Sequence, residues 1–470
     1  MSTYQLRDYQ TDLLDRLSQS WDSGNRSVII QLPTGGGKTI CFASVVAAAT
    51  AQGKQVLILA HREELITQAA EKIAPIAGME IGIIKAGYKA DYSRSIQVAS
   101  VQSLTRRLTK CPQFDLIVVD EAHHSTAKSY RSILNHFVNS QVLGVSATPV
   151  RLDGGGFRGL FDELICGATV KELIEMGSLS RYKYYASAQS MSLVGVRKRG
   201  GDYRQEQIEA ANPSASVAAD CLKAYRDYLN GKQVVIFAVS VAQSQAIACS
   251  FAANGIKAAH LDGSIDRQTR SLTMTAFRAM QIQVLTNCAL FDEGLDIPGL
   301  DGVILARPTV SIGRYLQMVG RGLRVAEGKE HAIIIDLAGN YQRLGLPCDD
   351  RVWSLDGVES IKRSKSKRLQ RKSDGQIEEI TIDLTQSDIQ LQEINRSIFV
   401  GAQSSLDEWE DKFNRLCFTQ QLNGHKPGWI GYRLVEMNPP LEIWIKAAHY
   451  LGHQTGWAYY RWRECQDVAV

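Results

Sequence analysis

Ten short apolar runs alternate with helix-length segments between residues 28 and 335, and this alternation restricts the chain to few folds. Strands of a parallel sheet are buried on both faces, so they form continuous apolar runs, and their connections need a crossover that is usually a helix. The runs form two sets of five, which predicts two α/β domains. The first set is 28–30, 56–59, 96–98, 116–119 and 142–145, and the second is 234–237, 258–261, 282–285, 302–305 and 332–335.

A length of 470 residues is too great for one ordinary core, and 44% hydrophobic with 22% charged residues is typical of globular proteins. We predict a first α/β domain at 1–190, followed by a linker or hairpin at 191–214 that contains the basic, glycine-bearing stretch VRKRGG. A second α/β domain is predicted at 215–345, then a basic linker region at 346–400 and a small aromatic-rich C-terminal module at 401–470.

The end of the chain differs in composition from the two predicted domains. Residues 361–372 carry seven Lys or Arg, which predicts an exposed segment that is either simply solvated or follows a phosphate backbone. Five of the seven tryptophans follow, and their rings either fill a small core or stack on unpaired bases. Trp462, which lies between two arginines, is the best candidate for an exposed platform. The five tryptophans are Trp409, Trp429, Trp444, Trp457 and Trp462.

The nine cysteines are scattered, and no two have the C-x-x-C spacing of a zinc ribbon, so we expect neither zinc nor a disulfide framework. No apolar run reaches the roughly 18 residues of a membrane span, and the polar N-terminus lacks the apolar core of a signal peptide. We therefore expect a cytoplasmic chain with no membrane partner. The net charge of +4 neither requires nor excludes a polyanionic partner.

A glycine-rich turn follows the first predicted strand and precedes a helical stretch, as PTGGGKT at 33–39. Glycines let the backbone N–H groups approach phosphates, while the lysine bridges the outer phosphates and the threonine hydroxyl reaches Mg²⁺. The strict phosphate-loop pattern has glycine at position 32, where this chain has Leu32. This motif predicts contacts to ATP from Pro33, Thr34, Gly35, Gly36, Gly37, Lys38 and Thr39.

A second motif, DEAH, begins at the end of the predicted strand 116–119. An apolar strand that delivers two carboxylates to its C-terminal edge places them beside the phosphate loop of a parallel sheet. Asp120 is then expected to hold Mg²⁺, and Glu121 to orient and deprotonate the attacking water. An acidic strand end that only caps a helix is the alternative, and the phosphate loop upstream argues against it.

Four motifs together resemble those of superfamily 2 helicases in order and spacing, over residues 4 to about 340. They are PTGGGKT, DEAH, SATP at 146–149 and QMVGRGLR at 317–324. The resemblance implies two tandem RecA-like parallel-sheet domains, an α/β fold, with the small C-terminal module added. It also implies ATP hydrolysis with Mg²⁺.

The same resemblance assigns further roles. In the first domain, Gln10 resembles the adenine reader, assisted by Arg7, and Ser146 and Thr148 resemble the motif that couples hydrolysis to domain closure. In the second domain, Gly294 and Asp296 resemble the motif that reaches the ribose and the hydrolysis site. Gln317, Arg321 and Arg324 belong to the motif whose arginines close on the γ-phosphate, one of them as an arginine finger. Such an arginine acts only when the domains close, so hydrolysis is coupled to motion.

Nucleic-acid contacts are also predicted from the resemblance. Short polar side chains at strand ends suit contacts to phosphates, which give affinity without sequence information. Ordinary strand or helix capping is the alternative role for such residues. The candidates are Arg62, Gln102, Ser103, Ser240 and Thr286.

Within the superfamily, the chain is similar to RadD-like proteins and to the motor subunits of restriction enzymes, the Res branch. Those relatives act on DNA, so we expect an ATP-dependent DNA helicase or translocase, nucleoid-associated if the source is bacterial, acting on single-stranded, forked or duplex DNA. RadD-like proteins carry cysteine-rich zinc elements after the second domain, which this sequence lacks. Two alternatives stay open: an RNA helicase, and a DNA-binding motor subunit of a restriction or defence complex that does not separate strands. The C-terminal module is a candidate site for protein partners.

Overall fold

A computed structural model describes residues 5–60, 73–125, 128–151, 155–187, 190–288, 299–357, 391–394, 413, 416–417, 430, 434 and 441–451. The chain divides into two compact units, Met1–Asn395 and Arg396–Val470. Each is described by itself.

The first sheet of the large unit contains seven parallel strands in the order β3-β4-β2-β5-β6-β1-β7. Its strands are β1 (Ser27–Gln31), β2 (Val56–Ala60), β3 (Ile81–Ile84), β4 (Ile96–Ser100), β5 (Leu116–Asp120), β6 (Gln141–Ser146) and β7 (Glu163–Cys166). Alternate residues of β1 belong to different cores, since Val28 and Ile30 lie in one and Ile29 in the other. Burial of both faces explains why these strands are continuously apolar.

Helices cover both faces of the first sheet. Leu13 and Phe42 pack on one face, and Tyr130 and Ile133 on the other. The described helices that precede the second sheet are α1 (Asp8–Asp22), α2 (Lys38–Ala51), α3 (Val101–Thr105), α4 (Lys128–His136) and α5 (Val170–Glu175), with 3-10 turns at Leu108–Lys110 and Ala122–His124.

The second sheet has the strand order β12-β13-β11-β14-β15-β8-β16. Its pairs are parallel except for β16, which runs antiparallel to β8 at the edge. Its strands are β8 (Arg181–Ser187), β11 (Val234–Ala238), β12 (Ala258–Leu261), β13 (Val284–Asn287), β14 (Gly302–Ala306), β15 (His331–Asp336) and β16 (Leu391–Glu393). The helices are α6 (Gln205–Ala211), α7 (Ser214–Tyr228), α8 (Val241–Ala253), α9 (Arg267–Arg278), α10 (Ile312–Gly322) and α11 (Asn340–Leu344).

The prediction of two parallel-sheet α/β domains is confirmed, but the predicted number of five strands in each domain was wrong. Each sheet has seven strands, because β3 and β7 join the first and β8 and β16 join the second. These four lie toward the edges of the sheets. On β8, exposed Arg181 and Lys183 alternate with buried Tyr184 and Ala186, so the strand has no continuous apolar run.

The predicted domain boundary at residue 190 also differs from the structure. Strand β8 lies within the predicted first domain, yet it pairs with β15 of the second sheet from Arg181 to Ala186. The chain therefore leaves the first sheet after β7, which ends at Cys166, and enters the second sheet before the predicted boundary. Pairing between strands about 150 residues apart decides this boundary, and local patterns do not report it.

A small hairpin occupies part of the predicted linker at 191–214. Strand β9 (Lys198–Arg199) pairs antiparallel with β10 (Asp202–Tyr203). Gly200 and Gly201, at φ 60° and 86°, form the two-residue turn between them. A turn with positive φ at both central positions is favoured by two glycines and matches the twist of the paired strands. The alternative that the sequence left open, a hairpin, is thus the observed one.

The first part of the predicted basic linker at 346–400 is ordered against the first domain. The backbone N–H groups of Phe157 and Arg158 donate to the carbonyl oxygen of Leu355, at 2.7 and 2.9 Å, and Gly155 forms a bridge with Gly357. We call residues 345–357 the strap, because they connect α11 of the second domain back to the first. The basic run at 361–372 lies outside the described residues.

In the smaller unit, the described part of the chain includes α12 (Leu441–Leu451). Trp444 on this helix is fully buried and packs with Ile430, Leu434 and Ala448. Of the two roles considered for the tryptophans, this ring therefore fills a core. Four of the five lie outside the described residues: Trp409, Trp429, Trp457 and Trp462.

The described residues contain neither a membrane-spanning helix nor a cluster of metal-binding side chains. None of their helices combines the length and apolar character that crossing a membrane requires. Nor does this part of the chain hold a group of three or more His, Cys, Asp or Glu side chains able to bind a metal ion together.

Candidate active site between the two sheets

The loop between β1 and α2 has the backbone geometry of a phosphate loop. Strand β1 ends at Gln31 and α2 begins at Lys38. Gly35 and Gly37, at φ 88° and 87°, adopt left-handed conformations that residues with a side chain rarely adopt. Gly37 directly precedes the helix, so the loop ends where free backbone N–H groups and the positive end of the helix dipole meet.

Lys38 lies inside this loop. Its Nζ donates to the carbonyl oxygens of Leu32 and Pro33, at 3.1 and 3.4 Å. Burial lowers the pKa of the Lys38 ammonium, and the carboxylates of Glu121 and Asp120 oppose that shift. An ammonium that bonds to two neutral carbonyl oxygens at this position fits an anionic ligand such as a triphosphate.

Gln10 and Tyr9, at the start of α1, hold the phosphate loop from one side. The Gln10 Nε2 and the Tyr9 hydroxyl both donate to the carbonyl oxygen of Gly36, at 3.2 and 2.9 Å. The Gln10 Oε1 accepts from the backbone N–H of Arg7 at 3.0 Å, and the Arg7 residue is exposed. Tyr9 is a site residue that the sequence patterns did not predict, although it lies next to Gln10. The adenine-reading role of Gln10 and Arg7 stays a prediction.

Asp120 and Glu121 lie at the C-terminal end of β5, as the strand pattern predicted. Burial, and after it the charge of Glu121, raises the pKa of Asp120 to about 7, while Lys38 acts in the opposite direction. Two carboxylates crowded in a buried site are stabilised by a divalent cation. The oxygen donors of Asp120 and Thr39 are of the type that Mg²⁺ prefers.

Glu121 adopts a backbone conformation that is uncommon for a residue with a side chain. Its φ is 49°, in the left-handed region, and its N–H donates to the Asp120 Oδ1 at 2.9 Å. The Glu121 Oε2 lies 3.4 Å from the Nδ1 of His123, whose side chain is buried. Strain of this kind is often found at active sites. His123 is a further site residue to which the sequence analysis gave no role, although it is the last residue of the DEAH motif.

Ser146 and Thr148 connect the end of β6 to the second domain. The Ser146 hydroxyl donates to the carbonyl oxygen of Thr148 at 2.9 Å and accepts from the Thr148 N–H at 3.2 Å. A Cβ added at Gly313, in the first turn of α10, would lie 2.8 Å from the Thr148 Oγ1. This motif of the first domain therefore touches the helix that carries Gln317 and Arg321, as a coupling role would require.

Helix α10 brings the second-domain residues to the phosphate loop. A Cβ added at Gly320 would lie 2.5 Å from the Cβ of Thr34, and one at Gly35 would lie 3.7 Å from the Cγ of Arg324. The charges of Arg321 and Arg324 lower the pKa of Lys38, and burial lowers the pKa of Arg324. Two guanidinium groups from the second domain therefore act on the loop lysine of the first.

The side-chain amide of Gln317 is buried in the same region, with the residue 5% exposed. In the part of the chain that the structure describes, its Nε2 has no hydrogen-bond partner. A buried amide donor is normally satisfied, so an unsatisfied one indicates a bound group or water. The residues brought together here fit ATP with Mg²⁺; Gly294 and Asp296 lie outside the described residues.

The predicted nucleic-acid residues have mixed surroundings. Gln102 is exposed on α3, and the Ser103 hydroxyl accepts from the N–H of Ala86 at 3.0 Å. Ser240 caps α8 by accepting from the Gln243 N–H at 3.1 Å. Capping is therefore the observed role of Ser240, and phosphate contact by these residues stays a prediction.

Thr286 is fully buried within β13. Its hydroxyl donates to the carbonyl oxygen of Ser244 at 2.9 Å and accepts from the Ser244 hydroxyl at 3.0 Å. In this structure the Thr286 hydroxyl bonds to Ser244 inside the second domain. Arg62 lies outside the described residues.

Two protein-family profiles match the chain, one in each α/β domain. The family described as type III restriction enzyme, res subunit matches residues 3–151, and the helicase conserved C-terminal domain matches residues 218–326. The matched ranges contain the phosphate loop and DEAH in the first case, and α10 with Arg321 and Arg324 in the second.

Three relatives illustrate the range of similarity. A "51.5 kDa protein" of a Lactococcus phage is 34% identical over 325 residues, 69% of this chain and 68% of that protein. A Saccharomyces cerevisiae protein named as an ATP-dependent helicase, IRC3, is 32% identical over 385 residues, 76% of this chain and 56% of its own length. The DNA 3'-5' translocase XPB2 of Sulfurisphaera tokodaii is 24% identical over 379 residues, 71% and 81% of the two chains. This chain thus spans little more than half of the yeast protein.

Among solved structures, a fragment named as an HsdR subunit of a type I restriction enzyme from Vibrio vulnificus superposes with a TM-score of 0.58. The two are 23% identical, and the match covers 76% of this chain and 68% of that one. Similarity at this level shows the shared fold, two RecA-like sheets in tandem. With its four ordered motifs, the two family matches and the 34% identical relative, this chain belongs to the superfamily 2 helicases, in the branch of the restriction-enzyme Res subunits.

Proposed function

We propose that this chain is an ATP-dependent DNA helicase or translocase, in which hydrolysis of ATP between the two domains drives movement along DNA. The observation that carries the proposal is the close contact of Gly320 on α10 with Thr34 in the phosphate loop. Because of this contact, groups from both domains share one site. A site that is complete only when the domains meet converts hydrolysis into domain motion.

The first domain supplies the binding and base functions. Lys38 and the loop N–H groups would bind the outer phosphates, with Gln10 and Tyr9 bracing the loop behind them. Asp120 and Thr39 would hold Mg²⁺, which supplies charge neutralisation for the transferring phosphoryl group. Glu121 would orient the attacking water and accept its proton, and His123 beside it would fix the carboxylate in position.

The second domain supplies the positive charge that stabilises the transition state. Arg321 and Arg324 would neutralise the transferred phosphoryl group, and Gln317 would offer its unsatisfied amide to the ligand. Thr148 of the first domain also touches α10, at Gly313. A change at the phosphates would therefore reach α10 through two contacts, that of Thr34 with Gly320 and that of Thr148 with Gly313. The resulting rotation of α10 would move the second sheet relative to the first.

DNA is the proposed substrate because of the relatives. One relative is named as a DNA translocase, and the family that matches the first domain is named for restriction enzymes, whose substrate is DNA. An RNA helicase and a motor subunit that does not separate strands are the two other candidates. Among the described residues, no specific contact favours either of them over the DNA motor.

The test is the ATPase rate of the purified chain without nucleic acid and with single-stranded, duplex and forked DNA and matched RNA, at several salt concentrations. We expect strong stimulation by DNA and weaker stimulation by RNA. Equal rates with and without nucleic acid would contradict the motor proposal. Stronger stimulation by RNA would favour the RNA helicase. Robust DNA-stimulated hydrolysis with no displacement of a forked strand would favour the non-unwinding motor.

Two variants identify the site used. Lys38→Ala and Glu121→Gln are each expected to reduce DNA-stimulated hydrolysis at least about 100-fold, because each removes a group aimed at the reacting phosphates or water. Exposed residues of the same types serve as matched controls, and Lys110→Ala and Glu175→Gln should hydrolyse ATP at the parent rate. If Lys110→Ala and Glu175→Gln lose as much activity as Lys38→Ala and Glu121→Gln, ATP is hydrolysed at another site.

A further inference from the structure

A short basic hairpin in the second domain has no part in the ATP site. The basic hairpin is defined as residues 197–204, which include β9 and β10. Four of its side chains are cationic and exposed: Arg197, Lys198, Arg199 and Arg204. Among the described residues none of the four forms an ion pair with a carboxylate. The one acidic residue of the hairpin, Asp202, is occupied elsewhere.

Asp202 fixes the base of the hairpin to the second domain. Its carboxylate accepts from the Thr309 hydroxyl at 2.8 Å and from the Val310 N–H at 3.0 Å. It also forms an ion pair with Arg314, and both side chains are largely buried, at 15% and 20% exposure. The hairpin therefore has a rigid base, and its cations are held on a defined scaffold.

Tyr203 adds a second attachment. The Nζ of Lys198 and the guanidinium carbon of Arg343 each lie 5.9 Å from the centre of the Tyr203 ring, and Arg343 belongs to α11. Cations over an aromatic face are attracted by its negative potential. Tyr203 also lines an open polar groove with Arg199, Arg204, Gln205 and Glu206. The basic side chains thus border a groove that opens to solvent.

The attachment points connect the hairpin to the ATP site. Thr309 and Val310 precede α10, and Arg314 lies in its first turn. The same helix carries Gln317 and Arg321, which face the phosphate loop. The hairpin is therefore attached through Asp202 to the helix that completes the ATP site.

The position in the sheet also suits a nucleic-acid contact. Val310 follows the C-terminal end of β14, and Ser240 follows the C-terminal end of β11 and donates to Glu209 of α6 at 2.8 Å. Because β11 and β14 are parallel neighbours, their ends lie at one edge of the sheet. The hairpin is attached at the same edge as Ser240, one of the predicted nucleic-acid residues.

We infer that the basic hairpin is a binding surface for the phosphodiester backbone of DNA and transmits that contact to α10 through Asp202. The inference rests on the proposed function, since it concerns the DNA on which the motor would move. Four exposed cations on a fixed scaffold, beside the single exposed carboxylate of Glu206, bind a polyanion by releasing its counterions, and such binding weakens steeply with salt. A charged segment without a fixed base could also bind DNA, but it would not transmit that contact to the ATP site.

The test compares two double variants of equal charge change. Lys198→Glu with Arg199→Glu alters the hairpin, and Lys232→Glu with Lys257→Glu alters exposed lysines that precede β11 and β12, at the opposite edge of the sheet. Binding to fluorescent single-stranded and duplex DNA of equal length is measured by anisotropy over a range of salt. The hairpin variant should bind at least about 10-fold more weakly than parent and control. Its salt slope should fall by roughly 1.4 for single strands and 1.8 for duplex, two phosphate contacts in each case.

Further arms separate charge from folding. Lys198→Arg with Arg199→Lys should bind DNA as tightly as the parent, because both charges are retained. Lys198→Gln with Arg199→Gln replaces the reversal variant if that one has a lowered unfolding temperature. A loss restricted to single strands or to duplex supports the inference and identifies the form that is bound.

Two failures are distinguishable. If DNA does not stimulate the parent ATPase and does not bind, the proposed function fails and the inference with it. If the parent binds DNA and is stimulated, and the hairpin variants bind like the Lys232 and Lys257 control, only the inference is overturned.

Discussion

Gly320 of the second domain packs against Thr34 of the phosphate loop so closely that a Cβ at position 320 would lie 2.5 Å from the Thr34 Cβ. Contacts this short are not found for real Cβ atoms, so the approach depends on the absence of a side chain. The glycine between Gln317 and Arg321 therefore determines how near Arg321, and Arg324 just after α10, come to the loop.

Gly320→Ala should separate α10 from the phosphate loop and reduce DNA-stimulated ATP hydrolysis by about 10- to 100-fold, since small displacements of positioning groups have effects of this size. Binding of ATP to the first domain should change much less. The matched control is Gly263→Ala, where an added Cβ has no atom within 4 Å. Steady-state rates and nucleotide affinity are the measurements, and equal rates for the two alanine variants would contradict the prediction.

Gln317→Leu should separate stability from activity. The Nε2 of Gln317 is buried without a partner among the described residues, and an unsatisfied buried donor costs about 1–3 kcal/mol. An apolar side chain of similar size should therefore leave the ligand-free protein as stable as the parent, or more stable, while ATP hydrolysis falls. Thermal unfolding without nucleotide and the ATPase rate test this. A variant with lowered stability and normal hydrolysis would show that the amide serves the fold.

Asp336 predicts a dependence of stability on pH. Burial raises the pKa of this carboxyl to about 6, above its usual 3.8, although it accepts from the Tyr184 hydroxyl at 3.0 Å and the Tyr341 N–H at 2.9 Å. Between pH 4 and 6 the folded state holds the proton that the unfolded chain releases. The contribution of Asp336 to stability therefore falls by roughly 3 kcal/mol as pH rises through this window. Above pH 6 the contribution is constant.

The measurement for Asp336 is the free energy of unfolding of parent and Asp336→Asn from pH 4 to pH 7. Asparagine does not titrate, so the difference between the two proteins should change in favour of the variant as pH rises to about 6. A difference independent of pH would show that the carboxyl ionises normally in the folded state.

The strap, residues 345–357, predicts that a backbone contact matters more than an ion pair. Arg158 and Asp356 form an ion pair, but both side chains are exposed, at 71% and 61%, so Arg158→Ala should leave the free energy of unfolding almost unchanged. In contrast, a Cβ at Gly156 would overlap the backbone of Leu355 and Asp356. Gly156→Ala should detach the strap and speed cleavage within it by a protease. Equal cleavage of the two variants would contradict this.

Much of the site was predictable, because its motifs are local. Lys38 follows a glycine turn and Asp120 ends an apolar strand, and in a parallel sheet those two positions share an edge by geometry alone. The positive φ of Gly35 and Gly37 follows from the same turn. In contrast, the partners of His123 and Tyr9 depend on side-chain packing, and sequence patterns do not report that.

The sequence by itself determined two parallel-sheet domains and the phosphate loop, since continuous apolar strands and glycine turns are properties of neighbouring residues. Only the tertiary structure decided that β8 crosses into the second sheet, that the strap returns to the first domain, and that Thr286 is buried. It also decided the contact of Gly320 with Thr34 across the two domains. These features join residues far apart in the chain. They depend on how elements pack against one another, and the local sequence pattern of an element does not specify its packing partner.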